Sequence, residues 1–339
     1  MTKTILVTGG FGCIGAETVK WLLHHSDADI VVCSRRADTE RSLRVFHLAD
    51  RSRLRLVEAD VSQRPAIDRI FAEHPITHVA HLAALQTPDC NAHRDLGLQI
   101  NLAGTQHLIE SIKACGRALD RFVFASSIAV YGPRSAYPEP LVPMLADTRP
   151  VNVYGTWKLA GENLTRLLFE EAGIPAISLR PGVLFGPGRD AGLTSTPTTA
   201  MKCVTLGLAY EIPFRSRQDY LYAPDVGAAF GNALLEPFDG NAVFTLPSQT
   251  TDTETFVDTM RLAANDLGIG NQFKITVGNA TVPFICDLDY QPFCESFPRV
   301  PRTDLRDAIR DSLLVFQDQV DRGWLTERNA VAGREPGAT

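Results

Sequence analysis

Residues 4–15 read TILVTGGFGCIG, a short apolar strand followed at once by a glycine-rich turn. The run Thr4–Thr8 has the β-branched and aliphatic composition of a buried strand, and a helix is predicted from about residue 14. Glycines at positions 9, 12 and 15 permit a tight turn and close approach of the backbone to a pyrophosphate. The free N–H groups of a helix N-terminus attract such an anion. This combination, directly after the first strand, predicts a dinucleotide-binding loop.

Outward from this loop, strand-like and helix-like stretches alternate through the first half of the chain. The predicted strands are Thr4–Thr8, Asp29–Ser34, Leu54–Glu58, His78–Leu82, Phe122–Ser126 and Ala176–Leu179. The predicted helices lie around residues 14–25, 38–49, 64–74, 95–116 and 154–172. Apolar strands separated by helices predict an α/β fold with a Rossmann-type, doubly wound parallel sheet that is covered on both faces.

The regular alternation of strands and helices ends near residue 186. We therefore expect a dinucleotide-binding Rossmann domain at residues 1–185 and a smaller C-terminal substrate-binding region at 186–328, interleaved with the Rossmann core. The tail at 329–339 is small and polar, and it is expected to be mobile.

The overall composition excludes several classes of protein. The chain has 339 residues, of which 45% are hydrophobic and 21% charged, and its formal net charge is −6. It is neither a disordered chain nor a basic nucleic-acid binder. It shows no membrane-spanning apolar run and no secretion signal, and its seven cysteines are scattered without a CxxC pair. These features predict a cytoplasmic protein with reduced thiols that holds no metal and binds neither nucleic acid nor membranes.

The end of the second predicted strand bears on the choice of cofactor. An acidic residue there would hydrogen-bond the adenosine ribose of NAD. Here the sequence is Cys33-Ser34-Arg35-Arg36, and arginine suits a 2′-phosphate through charge-assisted, bidentate hydrogen bonds. We therefore expect NADP to be preferred, while Asp38 is near enough in sequence to keep NAD as the alternative.

Tyr154 and Lys158 are four residues apart in a predicted helix, so their side chains share one face. A nearby ammonium favours the phenolate, and we expect Lys158 to lower the pKa of Tyr154 from its ordinary value of about 10. The phenol could then act as an acid or base near neutral pH. Ser127, after the fifth predicted strand, is a candidate hydrogen-bond partner of a substrate oxygen, whereas Ser126 is interpreted more readily as a strand-end cap.

The chain resembles the extended short-chain dehydrogenase/reductase family, which includes NAD(P)-dependent sugar epimerases and dehydratases. The resemblance extends over about residues 3–325 and is carried by short motifs. They are TGGFGCIG at 8–15, DV at 60–61, HLAA at 81–84, NLAGT at 101–105, SSIAVYG at 126–132, YGTWK at 154–158 and the stretch 180–188.

The resemblance implies a role for each matching position. Tyr154 is the implied catalytic acid/base, Lys158 holds the nicotinamide ribose and tunes the phenol, and Ser127 is the catalytic serine. Asn101, which we group with these catalytic residues, matches the structural asparagine of the family's fourth helix. The expected substrate contacts are Gln86, Ser127 and Arg189. The expected cofactor-binding residues, including those of the glycine loop and the second strand, are Gly9, Phe11, Gly12, Cys13, Ile14, Gly15, Ser34, Arg35, Arg36, Asp60, Val61, Leu82, Ala83, Ala84, Tyr154, Lys158, Pro181 and Val183.

Departures from the family pattern narrow the expected function. Dehydratases of this family place an Asp-Glu pair directly after the catalytic hydroxyl, where this chain has Ile128 and Ala129, so dehydration is not expected. Nucleotide-sugar epimerases carry an asparagine and an arginine at the positions of Val183 and Gln218. The loss of these two polar contacts weakens the binding of a diphosphate. The arginines that could compensate are Arg189, Arg215 and Arg217.

We therefore expect an NAD(P)-dependent oxidoreductase that interconverts a secondary alcohol and a ketone by hydride transfer on a polar, sugar-like or hydroxy-acid substrate. The first alternative is a sugar or nucleotide-sugar epimerase, in which the hydride leaves and returns within one turnover and the cofactor stays bound. The second is a non-catalytic NADP(H)-binding sensor on the same fold. Family members commonly pair through the helices after the fourth and fifth strands, so the resemblance also implies a homodimer.

Overall fold

The computed structural model describes residues 3–282 and 285–331. Its strands are β1 (Thr4–Thr8), β2 (Asp29–Ser34), β3 (Leu54–Glu58), β4 (His78–His81), β5 (Arg121–Ala125), β6 (Ala176–Arg180), β7 (Val183–Phe185), β8 (Tyr210–Phe214), β9 (Arg217–Tyr222), β10 (Asn241–Thr245), β11 (Gln249–Asp252) and β12 (Ile275–Ala280). Its α-helices are α1 (Cys13–His25), α2 (Thr39–Val45), α3 (Arg64–Glu73), α4 (Thr87–Ala92), α5 (Arg94–Gly97), α6 (Gly104–Ala114), α7 (Val153–Ala172), α8 (Thr196–Leu206), α9 (Ala223–Leu235), α10 (Thr253–Asp266), α11 (Gln291–Ser296), α12 (Leu305–Asp321) and α13 (Glu327–Val331).

A seven-stranded parallel sheet forms the centre of the molecule, in the order β3-β2-β1-β4-β5-β6-β10. Strands β1, β5 and β6 are buried along their whole length. The direction of winding reverses between β1 and β4, and sheets of this kind bind ligands in the crevice at the carboxyl ends of the strands beside that reversal. The predicted Rossmann-type, doubly wound sheet is therefore confirmed.

Each face of this sheet is covered by its own set of helices. Helices α1, α9 and α11 pack on one face, against Ile5 and Val7 of β1. Helices α3, α6 and α7 pack on the opposite face, against Leu6 of the same strand. Helices α1 and α9 lie very close together at Gly231. A Cβ atom at this position would be only 2.0 Å from the Cε3 atom of Trp21, so a side chain has no space there.

The C-terminal half of the chain both adds to this sheet and builds a second core. Helix α9 covers the sheet and β10 pairs with β6 at its edge. Strands β7, β9 and β11 form a small sheet, and β8 pairs with β12. Helices α8, α10 and α12 pack on these strands around Phe185, Phe256 and Phe316. The domain boundary at residue 185 stays a prediction.

Two predicted segments differ from the structure. The helix predicted for 95–116 is divided into α5, a π-helical turn at Leu98–Ala103 and α6. Residues 329–331, predicted to begin a mobile tail, belong to α13, where Ala330 is buried in the C-terminal core. The rest of the predicted tail, 332–339, lies outside the described residues.

Three further findings apply to the described part of the chain. No helix in it is long and apolar enough to cross a membrane. The seven cysteines are free thiols. No cluster of three or more His, Cys, Asp or Glu side chains is arranged to hold a metal ion.

Candidate active site

The glycine-rich turn lets α1 lie directly against the end of β1. Gly9 has a φ of 68°, in the left-handed region, and its N–H donates to the Cys33 carbonyl at 3.0 Å. A Cβ atom at Gly15 would lie 2.3 Å from the Gly9 carbonyl oxygen, so a side chain there has no space. The first turn of α1 carries no acidic residue, and Gly12 caps it without a side chain. The N-terminal N–H groups of α1 therefore fit the pyrophosphate of a dinucleotide.

The end of β2 presents positive charge to the solvent. Arg35 and Arg36 are both exposed there. Asp38, the residue that kept NAD as an alternative, caps α2 by accepting the N–H of Arg41 at 2.8 Å. The sequence reasoning missed Arg41, whose Nη2 donates to the Phe11 carbonyl at 3.1 Å and whose guanidinium lies 5.4 Å from the centre of the Phe11 ring. The helix-capping position of Asp38 is the sequence signal that could have placed Arg41 in the first turn of α2.

Two buried polar side chains fix the main chain at the end of β4. His81 Nδ1 is hydrogen-bonded to Thr8 Oγ1 at 2.8 Å, and His81 Nε2 is hydrogen-bonded to Thr105 Oγ1 at 3.0 Å. Asn101 Oδ1 accepts the N–H of Leu85 at 2.7 Å, and Asn101 Nδ2 donates to the Leu85 carbonyl at 2.9 Å. Asn101 was grouped with the catalytic residues, but its amide is engaged with this backbone. The structure thus makes it a positioning residue.

Burial of His81 predicts a specific loss of stability in acid. Burial lowers its pKa from 6.5 to about 3. Between these pH values, the unfolded chain binds a proton that folded His81 does not, so stability falls as the pH falls. The slope from this one group is at most about 1.4 kcal/mol per pH unit. In urea unfolding between pH 7 and pH 5, we expect His81→Asn to show a shallower pH dependence than the wild type.

The matched control for this experiment is His93→Asn, because His93 is exposed and makes no side-chain cap hydrogen bond. We expect this variant to keep the wild-type pH dependence. If the stability of His81→Asn depended on pH as steeply as that of the wild type, buried His81 would not be the source of the loss of stability in acid.

Tyr154 is placed at the start of α7 by a cap and a close contact. Asn152 Oδ1 accepts the N–H of Gly155 at 2.9 Å, which caps the helix. A Cβ atom at Gly155 would lie 2.1 Å from the Ala129 carbonyl oxygen, so only glycine lets α7 approach the turn after β5 this closely. This approach brings Tyr154 beside Ser127, whose hydroxyl acts to lower the pKa of the phenol.

Lys158 lies one turn further along α7 and is buried. Its Nζ donates to the Ala125 carbonyl at 2.6 Å and lies 5.6 Å from the centre of the Tyr154 ring. Burial lowers the pKa of Lys158 to about 8. Burial also raises the pKa of Tyr154, although the Ser127 hydrogen bond and the charge of Arg189 act to lower it. The predicted lowering of that pKa by Lys158 is wrong, because burial of the phenol outweighs the groups that lower it.

Ser126 belongs to a buried network behind Lys158. Its Oγ donates to Glu162 Oε1 at 2.5 Å. Arg180 donates to each of the two carboxylate oxygens of Glu162 at 2.7 Å and to the Tyr131 hydroxyl at 2.8 Å. Glu162 follows Lys158 by one helical turn, and its role was missed by the sequence reasoning. Ser126 is therefore structural, which leaves its neighbour as the candidate contact for a substrate.

Gln86 and Arg189 connect the loops that follow β4 and β7. Arg189 Nη1 donates to Gln86 Oε1 at 2.9 Å, and Nη2 donates to Thr194 Oγ1 at 2.6 Å. A cavity of about 250 Å³ lies beside this contact. Its lining includes Gln86, Asp190, Gly192, Ser195, Thr196 and Thr199.

The positions of the two lost diphosphate contacts are uncharged and buried. Val183 is packed in the C-terminal core. Gln218 is 0% exposed, and neither atom of its amide has a hydrogen-bond partner among the described residues. Neither side chain offers a charge to a diphosphate.

The remaining predicted cofactor residues lie at the carboxyl ends of the strands, around the same crevice. They are Cys13 and Ile14 at the start of α1, Ser34 at the end of β2, Asp60 and Val61 after β3, Leu82, Ala83 and Ala84 after β4, and Pro181 after β6. Their contacts with a cofactor stay a prediction.

Comparison with known proteins finds relatives that match about half of this chain. The chain is 34% identical over 167 residues to the UDP-glucose 4-epimerase of Erwinia amylovora, and the match covers 48% of each protein. It is 31% identical over 191 residues to the D-erythronate dehydrogenase of Cupriavidus necator, covering 52% of this chain and 56% of that one. The chain thus spans about half the length of the curated relatives it matches.

The fold comparison and a family model both match more of the chain than these relatives do. The solved structure of UDP-glucose 4-epimerase from Thermotoga maritima with UDP-glucose superimposes with a TM-score of 0.79 at 22% identity, covering 94% of this chain and 99% of that chain. A model of the NAD dependent epimerase/dehydratase family matches residues 5–245. Because this match covers more than half of the sequence and includes the glycine loop, Tyr154 and Lys158, the chain belongs to the NAD-dependent epimerase/dehydratase family.

Proposed function

We propose that this protein is an NAD(P)-dependent oxidoreductase that interconverts a secondary alcohol and a ketone on a polar, sugar-like or hydroxy-acid substrate. The observation that carries this proposal is the placement of the Tyr154 ring beside Ser127 and 5.6 Å from the ammonium of Lys158. Membership of an NAD-dependent family supports hydride chemistry at this site. Exchange between alcohol and ketone needs no acid or base beyond these three side chains.

Each of the three side chains has a distinct task in this mechanism. A nicotinamide bound in this crevice would supply or accept the hydride. Tyr154 holds the proton that moves to or from the substrate oxygen, and Ser127 orients that oxygen by a hydrogen bond. The raised pKa of Tyr154 keeps the phenol protonated at neutral pH, ready to protonate a ketone as it is reduced. In the oxidation direction, the Ser127 hydroxyl and the charge of Arg189 lower the cost of forming the phenolate. Lys158 would hold the nicotinamide ribose.

A coenzyme-reduction assay tests this proposal. The protein is incubated with NADP⁺ or NAD⁺ and a panel of polyols, aldoses and hydroxy acids, and reduced coenzyme is followed by its absorbance. We expect reduced coenzyme to accumulate in excess of the protein with at least one substrate. Absence of net reduction across the panel would contradict the proposal.

We further propose that NADP is the preferred coenzyme, because Arg35 and Arg36 follow β2 while Asp38 is engaged in capping α2. In the Arg35→Ala/Arg36→Ala double variant, we expect the Kd for NADP⁺ to rise by about 10² and the Kd for NAD⁺ to change little. Both values can be measured by fluorescence titration. The control Arg51→Ala removes an exposed arginine from the loop before β3. Equal losses for both coenzymes, or tighter NAD⁺ binding by the wild type, would contradict this assignment.

An epimerase is the second candidate, favoured by the 34% identity to a UDP-glucose 4-epimerase. The same three side chains would act, but the hydride would return to the substrate within one turnover. Conversion of UDP-glucose without net coenzyme reduction would support it. Dehydration is disfavoured because the turn after Ser127 begins with Ile128 and Ala129 and supplies no carboxylate. Tight coenzyme binding without any turnover would support the sensor alternative.

A further inference from the structure

Of the three arginines that could compensate for the lost diphosphate contacts, two are already paired. Arg215 forms a salt bridge with Glu254. Arg217 donates to Asp287 Oδ1 at 2.8 Å. Their charges are therefore neutralised by the protein itself, and both side chains are 55% exposed. Arg189 is the remaining arginine of this group.

Arg189 is held by neutral groups alone. Its two terminal nitrogens donate to the Gln86 amide oxygen and the Thr194 hydroxyl. Its Nε is buried and has no hydrogen-bond partner. The adjacent carboxylate of Asp190 pairs with Lys202 instead, and among the described residues no carboxylate forms a salt bridge with Arg189. A half-buried guanidinium that is oriented but not neutralised is prepared to accept an anion from a ligand.

Arg189 lies near the phosphate loop, and its charge acts on Tyr154. The loop that carries it packs on the start of α1, since a Cβ atom at Gly188 would lie 3.4 Å from Cys13 Cα. The charge of Arg189 also acts to lower the pKa of Tyr154. The hydrogen bonds to Gln86 and Thr194 direct the guanidinium toward the loops after β4 and β7, and the phosphate loop has its own N–H donors for the pyrophosphate.

We propose that Arg189 binds the carboxylate of a small hydroxy-acid substrate whose secondary alcohol lies at Tyr154 and Ser127. The proposal rests on the proposed oxidoreductase function and names its substrate class. One unpaired guanidinium matches a singly charged carboxylate, through planar, bidentate hydrogen bonds. A nucleotide diphosphate carries more charge, and the buried Val183 and Gln218 offer it none.

The chemistry balances as an ordinary alcohol oxidation. The C–H bond of the carbinol breaks, and its electron pair leaves as hydride to NAD(P)⁺. The Tyr154 phenol first releases its own proton to solvent, and the phenolate then accepts the O–H proton. The products are a keto acid, NAD(P)H and one proton, while the carboxylate on Arg189 is unchanged.

The test compares four-carbon aldonates, including D-erythronate, with the corresponding neutral aldonamides. For wild-type protein, we expect kcat/KM for the preferred acid to exceed that for its amide by about 10² or more. Arg189→Gln should lower kcat/KM for the acid by about 10²–10³ and leave the amide and the coenzyme Kd nearly unchanged. Arg189→Lys should recover part of the loss, and the control Arg215→Gln should behave like the wild type.

A second readout is independent of turnover. With saturating NADP⁺ present, an aldonate should raise the Tm of the wild type and of Arg215→Gln but not that of Arg189→Gln. This measurement also shows whether Arg189→Gln folds.

Three results would overturn the inference. They are equal use of acids and amides, weaker coenzyme binding by Arg189→Gln, and a wild-type Tm that no aldonate raises. The second would assign Arg189 to a coenzyme phosphate. Besides these three results, Tyr154-dependent oxidation of neutral substrates alone would also overturn the inference, but it would leave the proposed function standing. An Arg189-dependent Tm increase without coenzyme reduction would support the carboxylate site at Arg189 and contradict the proposed oxidoreductase function.

Discussion

Replacement of Tyr154 by phenylalanine is expected to lower kcat by about 10³ while the protein still folds and binds its coenzyme. The hydroxyl is the group that exchanges a proton with the substrate oxygen, and phenylalanine removes it with little change in ring packing. The ring stays beside Lys158, whose Nζ lies 5.6 Å from its centre. Steady-state kinetics measure the loss of turnover, and fluorescence titration measures coenzyme binding.

The control for this variant is Tyr290→Phe. Tyr290 precedes α11, outside the candidate site, and makes no side-chain cap hydrogen bond. We expect its kcat to equal that of the wild type. A Tyr154→Phe protein with near-full turnover would contradict the mechanism.

Replacement of Glu162 by glutamine is expected to destabilise the fold by about 3–5 kcal/mol. The side chains of Glu162 and Arg180 are only 5% and 6% exposed, and Arg180 contacts both carboxylate oxygens. Glutamine has nearly the same shape but no charge, so Arg180 stays buried without a counter-ion. Chemical unfolding at pH 7 gives the change in the free energy of unfolding.

The matched control is Glu170→Gln on the same helix. Glu170 also pairs with an arginine, Arg166, but these side chains are 49% and 46% exposed. Pairs of this kind contribute about 0.3–0.5 kcal/mol. If the two substitutions cost the same, the buried pair would not have the structural importance assigned to it.

The parts of the fold that could be predicted from sequence depend on local patterns. Strand β1, the glycine turn and α1 follow from a run of adjacent residues. The same holds for α7, because Tyr154 and Lys158 have helical spacing. The order of the sheet also follows, since the chirality of strand–helix–strand units leaves few alternatives.

The features missed by sequence reasoning depend on contacts between distant segments. Arg180 meets Glu162 only after β6 pairs with β5 beside α7. The pKa of Tyr154 was predicted in the wrong direction because the spacing that places Lys158 on the same face does not show that the folded chain buries the phenol. The sequence places Asp190 next to Arg189, which suggests an ion pair between them. In the structure Asp190 pairs with Lys202 instead, so the sequence could not show that Arg189 lacks a counter-ion.

The nicotinamide content of extensively dialysed protein tests the oxidoreductase proposal most directly, because a dehydrogenase must exchange its coenzyme whereas an epimerase retains it. Released coenzyme is identified after denaturation, and the dialysed protein is then titrated with NADP⁺ and NAD⁺. We predict a protein that loses its coenzyme on dialysis and rebinds NADP⁺ more tightly than NAD⁺. Retention of close to one equivalent of nicotinamide per chain would contradict net oxidoreduction and indicate internal return of the hydride.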